Sequence, residues 1–129
     1  MKMIALTGIS NESLEDLQRR HIRTFEVRSA HNVIALSSIN PGDPVFLTDV
    51  VPSDLTSGIC GIIATVRNLD IRMSRITFGT RDTIEEREAM TTRIQLALSS
   101  KGKIRSIEKI ENYKPIIADV IDVKMCEAR

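Results

Sequence analysis

The chain has 129 residues, a length that fits one domain, with 42% apolar and 27% charged residues in the balance of a soluble globular protein. The formal net charge of +1 gives no global drive toward nucleic acid, so any such binding must come from a local patch. No uncharged apolar run is long enough for a membrane span, no signal-peptide core opens the chain, and with no Trp, one Tyr and three Phe there are few platforms for stacking bases.

Met3 to Leu6 is an apolar run that fits a first strand, broken by Gly8. Ser10 or Ser13 caps a helix carrying Leu14, Leu17 and His21, with Glu12, Glu15 and Asp16 toward its positive end and Arg19 and Arg20 toward its negative end. Thr24 to Arg28 follows as a strand. Side chains alternate across a strand, so Phe25 and Val27 share a face with Arg23, while Thr24, Glu26 and Arg28 form a polar row on the other. Val33 and Leu36 mark one or two helical turns. Asn40-Pro41-Gly42-Asp43 is a turn, in which Asp43 reads as a side-chain brace, and Pro44 to Thr48 is a strand.

Pro52-Ser53-Asp54 begins a loop or short helix. Ile59 to Val66, the most apolar stretch, reads as a central strand, and Leu69 to Phe78 as a second strand after a turn near Arg67-Asn68. A helix is expected from about Thr83 to Ser99. Asp82 and Glu85 give its capping-box pattern, Met90, Ile94, Ala97 and Leu98 its apolar stripe, and Gly102 its stop. Strands at Ile104 to Ile110 and Ile116 to Met125 complete the chain. This order predicts an α+β fold, a small, mostly antiparallel β-barrel with two main helices, in a single domain spanning residues 1–129.

Several motifs resolve to bland readings. Gly58-Ile59-Cys60-Gly61 has the letters of a KH-type loop but opens an apolar strand, where the glycines serve a bulge or close packing. Gly79 to Asp82 stands at the expected helix start, but Asp82, Glu85, Glu86 and Glu88 would repel an anion there. His21 and His31 have no second ligand at metal-binding spacing, so neither a metal nor a cofactor is expected. Cys60 reads as an inert core residue and Cys126 as an exposed one, a pair implying neither a disulfide framework nor a zinc site and hence a cytoplasmic protein. Basic residues gather in three sets: Arg19, Arg20 and Arg23; Lys101, Lys103, Arg105, Lys109 and Lys114; and Arg67, Arg72, Arg75 and Arg81. Each taken alone is a solvated surface, and only their convergence in space would make a phosphate-binding one.

The phrase Arg23-Thr24-Phe25-Glu26-Val27-Arg28, followed by a short helical stretch and by Leu36 to Gly42-Asp43-Pro44-Val45-Phe46-Leu47, resembles the ASCH domain of the PUA-like superfamily of small β-barrels. The resemblance covers about a third of the chain. From Met3-Ile4-Ala5-Leu6-Thr7-Gly8 onward, the whole chain also resembles an uncharacterised archaeal family without an established function. The ASCH resemblance implies a cleft beside Thr24, Glu26 and Arg28 and a role in binding RNA, with some members acting on RNA or modified nucleosides. Arg23 stands where that family usually has lysine. Arginine stays protonated and cannot serve as a neutral base, which shifts the expectation from catalysis to binding.

The leading expectation is therefore a binder of RNA or a nucleotide-like molecule through Arg23, Thr24, Glu26 and Arg28. One alternative is a hydrolase of a modified nucleoside or RNA, with Glu26 as general base and Thr24 as nucleophile or positioning group. Another is a protein-interaction module, a homodimer using the sheet edge or the apolar surface around the last strands. Whether the Thr83–Ser99 helix covers the cleft is left open by the sequence.

Overall fold

A computed structural model describes residues 1–27, 29–79, 84–111 and 114–126. The elements run β1 (Lys2–Leu6), α1 (Asn11–Arg20), β2 (Ile22–Val27), α2 (Ala30–Leu36), β3 (Pro44–Leu47), a 3-10 turn (Pro52–Asp54), β4 (Cys60–Gly79), β5 (Ile84–Ile107) and β6 (Ile116–Val123). The architecture is α+β: one mixed sheet of six strands in the order β2-β5-β4-β3-β1-β6, with a further β5–β6 pairing that links the last strand back into the sheet. The β1–β3 pair is parallel and the other pairs are antiparallel. One long edge of β5 serves two partners in succession, β2 along 92–97 and β6 along 101–107.

Two apolar clusters fill the fold, one on either side of the sheet. Leu6, Val45, Leu47, Ile62, Ala64 and Val66 face the helices, where Leu14 and Leu17 of α1 and Ala35 and Leu36 of α2 meet them. Met3, Ala5, Phe46, Ile63, Ile104, Ala118 and Val120 pack on the opposite side. Because β3 and the start of β4 are buried on both faces, their sequences lack polar alternation, which explains the unbroken run at Ile59 to Val66. Ser10 caps α1 by accepting from Ser13 N at 3.2 Å, and Ser29 caps α2 by accepting from Asn32 N at 3.2 Å. The Asn40–Asp43 turn is braced as expected, with Asn40 N donating to Asp43 Oδ2 at 2.9 Å.

The structure corrects four expectations. The helix expected from Thr83 to Ser99 is absent: residues 84–107 are one strand, paired with β4 from Gly79–Ile84 down to Cys60–Lys103. Asp82 lies outside the described residues. Gly102 does not stop a helix but sits mid-strand, where a Cβ would come within 2.7 Å of both Ile63 and Val120. The strands at Ile59–Val66 and Leu69–Phe78 are one strand as well, and the turn expected near Arg67-Asn68 is a register shift between Val66 and Asn68. The strand expected at Ile104 to Ile110 is the end of β5, which stops at Ile107.

The fourth correction concerns the cysteines. Cys60 and Cys126 form a disulfide with Cα atoms 5.8 Å apart, and neither belongs to the buried core. A bond closing a separation of 66 residues constrains the unfolded chain by roughly 4 kcal/mol in the entropic account. Sequence spacing gave no hint of it, because the two residues meet only through the alignment of β4, β5 and β6 followed by a return of the C-terminal segment.

Candidate functional site

Strand β2 separates its side chains as the alternation requires. Phe25 and Val27 are buried, while Thr24 and Glu26 are exposed on the outer face. The register of β2 against β5 sets Thr24 opposite Gln95 and Glu26 opposite Arg93. The register of β5 against β4 then sets Gln95 opposite Asn68 and Arg93 opposite Asp70. Two cross-strand rows result, Thr24–Gln95–Asn68 and Glu26–Arg93–Asp70. Thr24, Asn68, Asp70, Arg93 and Gln95 line a shallow cleft of about 150 Å³.

The irregularity in β4 builds this face. Before it, even-numbered Ile62, Ala64 and Val66 point into the core. After it, Leu69 packs on the same cluster, and Asn68 and Asp70 are turned outward. One extra residue inverts the alternation and so delivers an amide and a carboxylate beside Arg93.

Arg93 occupies the centre of the second row and is exposed. Among the described residues its guanidinium makes no ion pair, although Glu26 and Asp70 flank it across the strands. It therefore keeps five donors available to a ligand between two carboxylates. The site can donate to ring carbonyls and ring nitrogens through Arg93 and the amides, and accept from amino and imino groups through Glu26 and Asp70.

The residues expected from the sequence are distributed unevenly. Thr24 lies in the cleft. Glu26 lies in the second row and also borders a neighbouring depression of about 250 Å³ lined by Ser10, Ser13, Ser29 and Asn32. Arg23 points to the other face: its guanidinium lies 3.4 Å from Asp16 of α1 and 5.1 Å from the centroid of the Phe25 ring. Arg28 lies outside the described residues. Arg93, Gln95, Asn68 and Asp70 were missed. The signal that finds Arg93 and Gln95 is the alternation of Arg93, Gln95 and Ser99 with Ile94, Leu96 and Leu98.

Among the described residues, members of the first two basic sets are engaged by carboxylates. Arg19, Arg20 and Arg23 all converge on Asp16, at 2.6, 3.1 and 3.4 Å. The Arg19 hydrogen bond, with Arg20 and Arg23 beside it, holds the Asp16 carboxyl below its ordinary range. Arg105 pairs with Asp119, and Lys114 with Glu111. Of the third set, Arg81 lies outside the described residues. His21 is the exposed left-handed cap of α1, and His31 lies on α2 with its Nε2 buried and unpartnered among the described residues. Gly61 packs against Phe46, consistent with the close-packing reading of the Gly58–Gly61 letters. No cluster of His, Cys, Asp or Glu fit to hold a metal occurs among the described residues. No helix among them is long and apolar enough to cross a membrane.

Against known families, residues 1–118 match the model described as "Protein of unknown function (DUF473)". The chain is 31% identical over 110 residues to the uncharacterized protein MJ0105 of Methanocaldococcus jannaschii, an alignment that covers 85% of this chain and 69% of that protein. Both agree with the resemblance to an uncharacterised archaeal family. No solved structure matches the chain.

Proposed function

This chain belongs to the DUF473 family, whose function is unknown, and from its own geometry we propose that it binds RNA or a nucleotide-like molecule by the base, on the outer face of β2, β5 and β4. The observation that carries this reading is Arg93, accessible and without an ion pair among the described residues, set between two carboxylates and beside two amides and a hydroxyl. The ASCH-like phrase from Arg23 to Arg28 and the Gly42-Asp43 turn support it, and a PUA-like barrel is the fold type that goes with it.

The charges choose the part of the ligand that is read. One guanidinium between two carboxylates does not suit a phosphate, which the carboxylates would repel. It suits a base edge that offers acceptors and donors together. Guanine does so, with O6 and N7 as acceptors for Arg93 and an amino group as donor to Glu26 or Asp70. Arg23 is not part of this site, since its guanidinium serves Asp16 and Phe25.

The test is fluorescence anisotropy of labelled single-stranded and hairpin RNAs, guanine-rich and guanine-free, at several salt concentrations, with wild type and Arg93→Ala side by side. Loss of a bidentate base contact worth about 1–3 kcal/mol lowers affinity for guanine-rich RNA by roughly fivefold to more than a hundredfold. The thermal midpoint should hold, because Arg93 is exposed. A modest salt dependence is expected, since few phosphates are engaged. Equal affinity in the two proteins removes the site, and equal affinity for the two RNA compositions removes the base reading.

A further inference from the structure

We propose that the Cys60–Cys126 disulfide is a reversible thiol–disulfide exchange site, reached by low-molecular-weight thiols through the cavity it walls, and that its reduction frees the C-terminal segment. The cavity measures about 310 Å³ and lies between α1 and the start of β4. Asn11, Glu15 and Gln18 of α1, with Asp49 and Lys101, line it together with both cysteines. Both are half-buried, so the bond is accessible to solvent rather than sealed in the core. Accessible disulfides of this kind are the exchangeable ones, whereas buried bonds act as staples.

The surroundings indicate what the bond holds. Strand β6 ends at Val123, which pairs with Lys101. Residues 124–126 carry no ladder pairing, and Met125 is 81% exposed. Neither cysteine belongs to the two apolar clusters, which are complete without them. The bond therefore ties down a segment that has little else to hold it, on a domain that has a core of its own.

The chemistry balances with a dithiol as reductant. A thiolate of the dithiol attacks one cysteine sulfur, forming a mixed disulfide, and the other cysteine leaves as a thiolate that takes a proton from water. The second thiol of the reagent then displaces the first cysteine and closes the oxidised reagent. Two electrons and two protons pass from the dithiol to the protein. With the bond open, residues 124–126 detach and the cavity loses one wall.

The test treats folded, non-reduced protein with dithiothreitol, then alkylates it without denaturant and determines its mass. The expected result is two alkylated cysteines, an unchanged far-ultraviolet circular dichroism spectrum, and NMR order parameters for residues 124–126 that fall to below about 0.6 from a rigid value of about 0.85. The double variant Cys60→Ser, Cys126→Ser reproduces the mobile segment without reductant. Resistance to dithiothreitol until denaturant is added would make the bond a structural staple and overturn the proposal. Loss of the whole fold on reduction, or an equally rigid segment in the double variant, would overturn it too.

Discussion

Gly61 stands directly opposite Gly102 across the β4–β5 ladder, and neither position has room for a side chain. A Cβ at Gly61 would come within 2.6 Å of the Phe46 ring, and one at Gly102 within 2.7 Å of both Ile63 and Val120. Atoms of neighbouring strands fill the space above both glycines. Gly102→Ala is expected to lower stability by about 1–3 kcal/mol through overpacking. Chemical denaturation measures it, and an unchanged midpoint would show that Ile63 and Val120 move aside at no cost.

Asn32 on α2 holds the end of β1 as a neighbouring strand would. Its Oδ1 accepts from Thr7 N at 3.2 Å and its Nδ2 donates to Thr7 O at 2.8 Å, both in a buried setting. Asn32→Ala leaves two buried backbone groups without partners and is expected to cost about 2 kcal/mol or more. Asn32→Asp keeps the acceptor and loses the donor, so it should be destabilised as well. A thermal midpoint within error of wild type in both variants contradicts the clamp.

Thr92 is fully buried opposite Val27, and its Oγ1 has no hydrogen-bond partner among the described residues. Thr92→Val keeps the shape and removes the hydroxyl. It should stabilise the fold by about 1 kcal/mol, since an unsatisfied buried polar group is costly. A loss of stability would mean that the hydroxyl is satisfied in solution.

Two aspartates give the fold a shared acid sensitivity. Asp16 is held below its ordinary value of 3.8 by the Arg19 hydrogen bond, then by Arg20 and Arg23. Asp119 is held below 3.8 by the N-terminal ammonium and then by Arg105. Both carboxyls keep their charge to lower pH in the folded chain than in the unfolded one. Their contribution is therefore complete above the unfolded value and is lost as the pH falls through the lowered folded value. The effect is small, because the partners are exposed. Thermal midpoints measured from about pH 7 to about pH 2 should fall less steeply at the acid end in Asp16→Asn, Asp119→Asn than in wild type.

How far the sequence could be read depended on whether two periodicities coincided. Phe25 and Val27 alternate strictly with Thr24 and Glu26, so the faces of β2 were legible. Met90, Ile94 and Leu98 are spaced by four, which fits one face of a helix and also one face of a strand. The capping pattern of Asp82 and Glu85 tipped that segment toward a helix, and Arg93 and Gln95 were lost from view with it. Leu96, buried between Ile94 and Leu98, breaks the helical stripe and fits the strand. The register shift at Val66–Asn68 leaves no local signature, because the extra residue is required by the partner strands and not by its neighbours in the chain. The disulfide was hidden for the same reason.

The pairing of β1 with β6 sets Lys2 beside Asp119 and Ala5 beside Ile116, so strands far apart in sequence lie side by side in the sheet. Chain emerging from the ribosome can form the β4–β5 pairing early, but β1 must wait until Ile116 to Asp119 have been made before its outer neighbour exists. Until then β1 has one unpaired edge, and a contact of such large sequence separation slows folding and lengthens the exposure of Met3 and Ala5 to other chains.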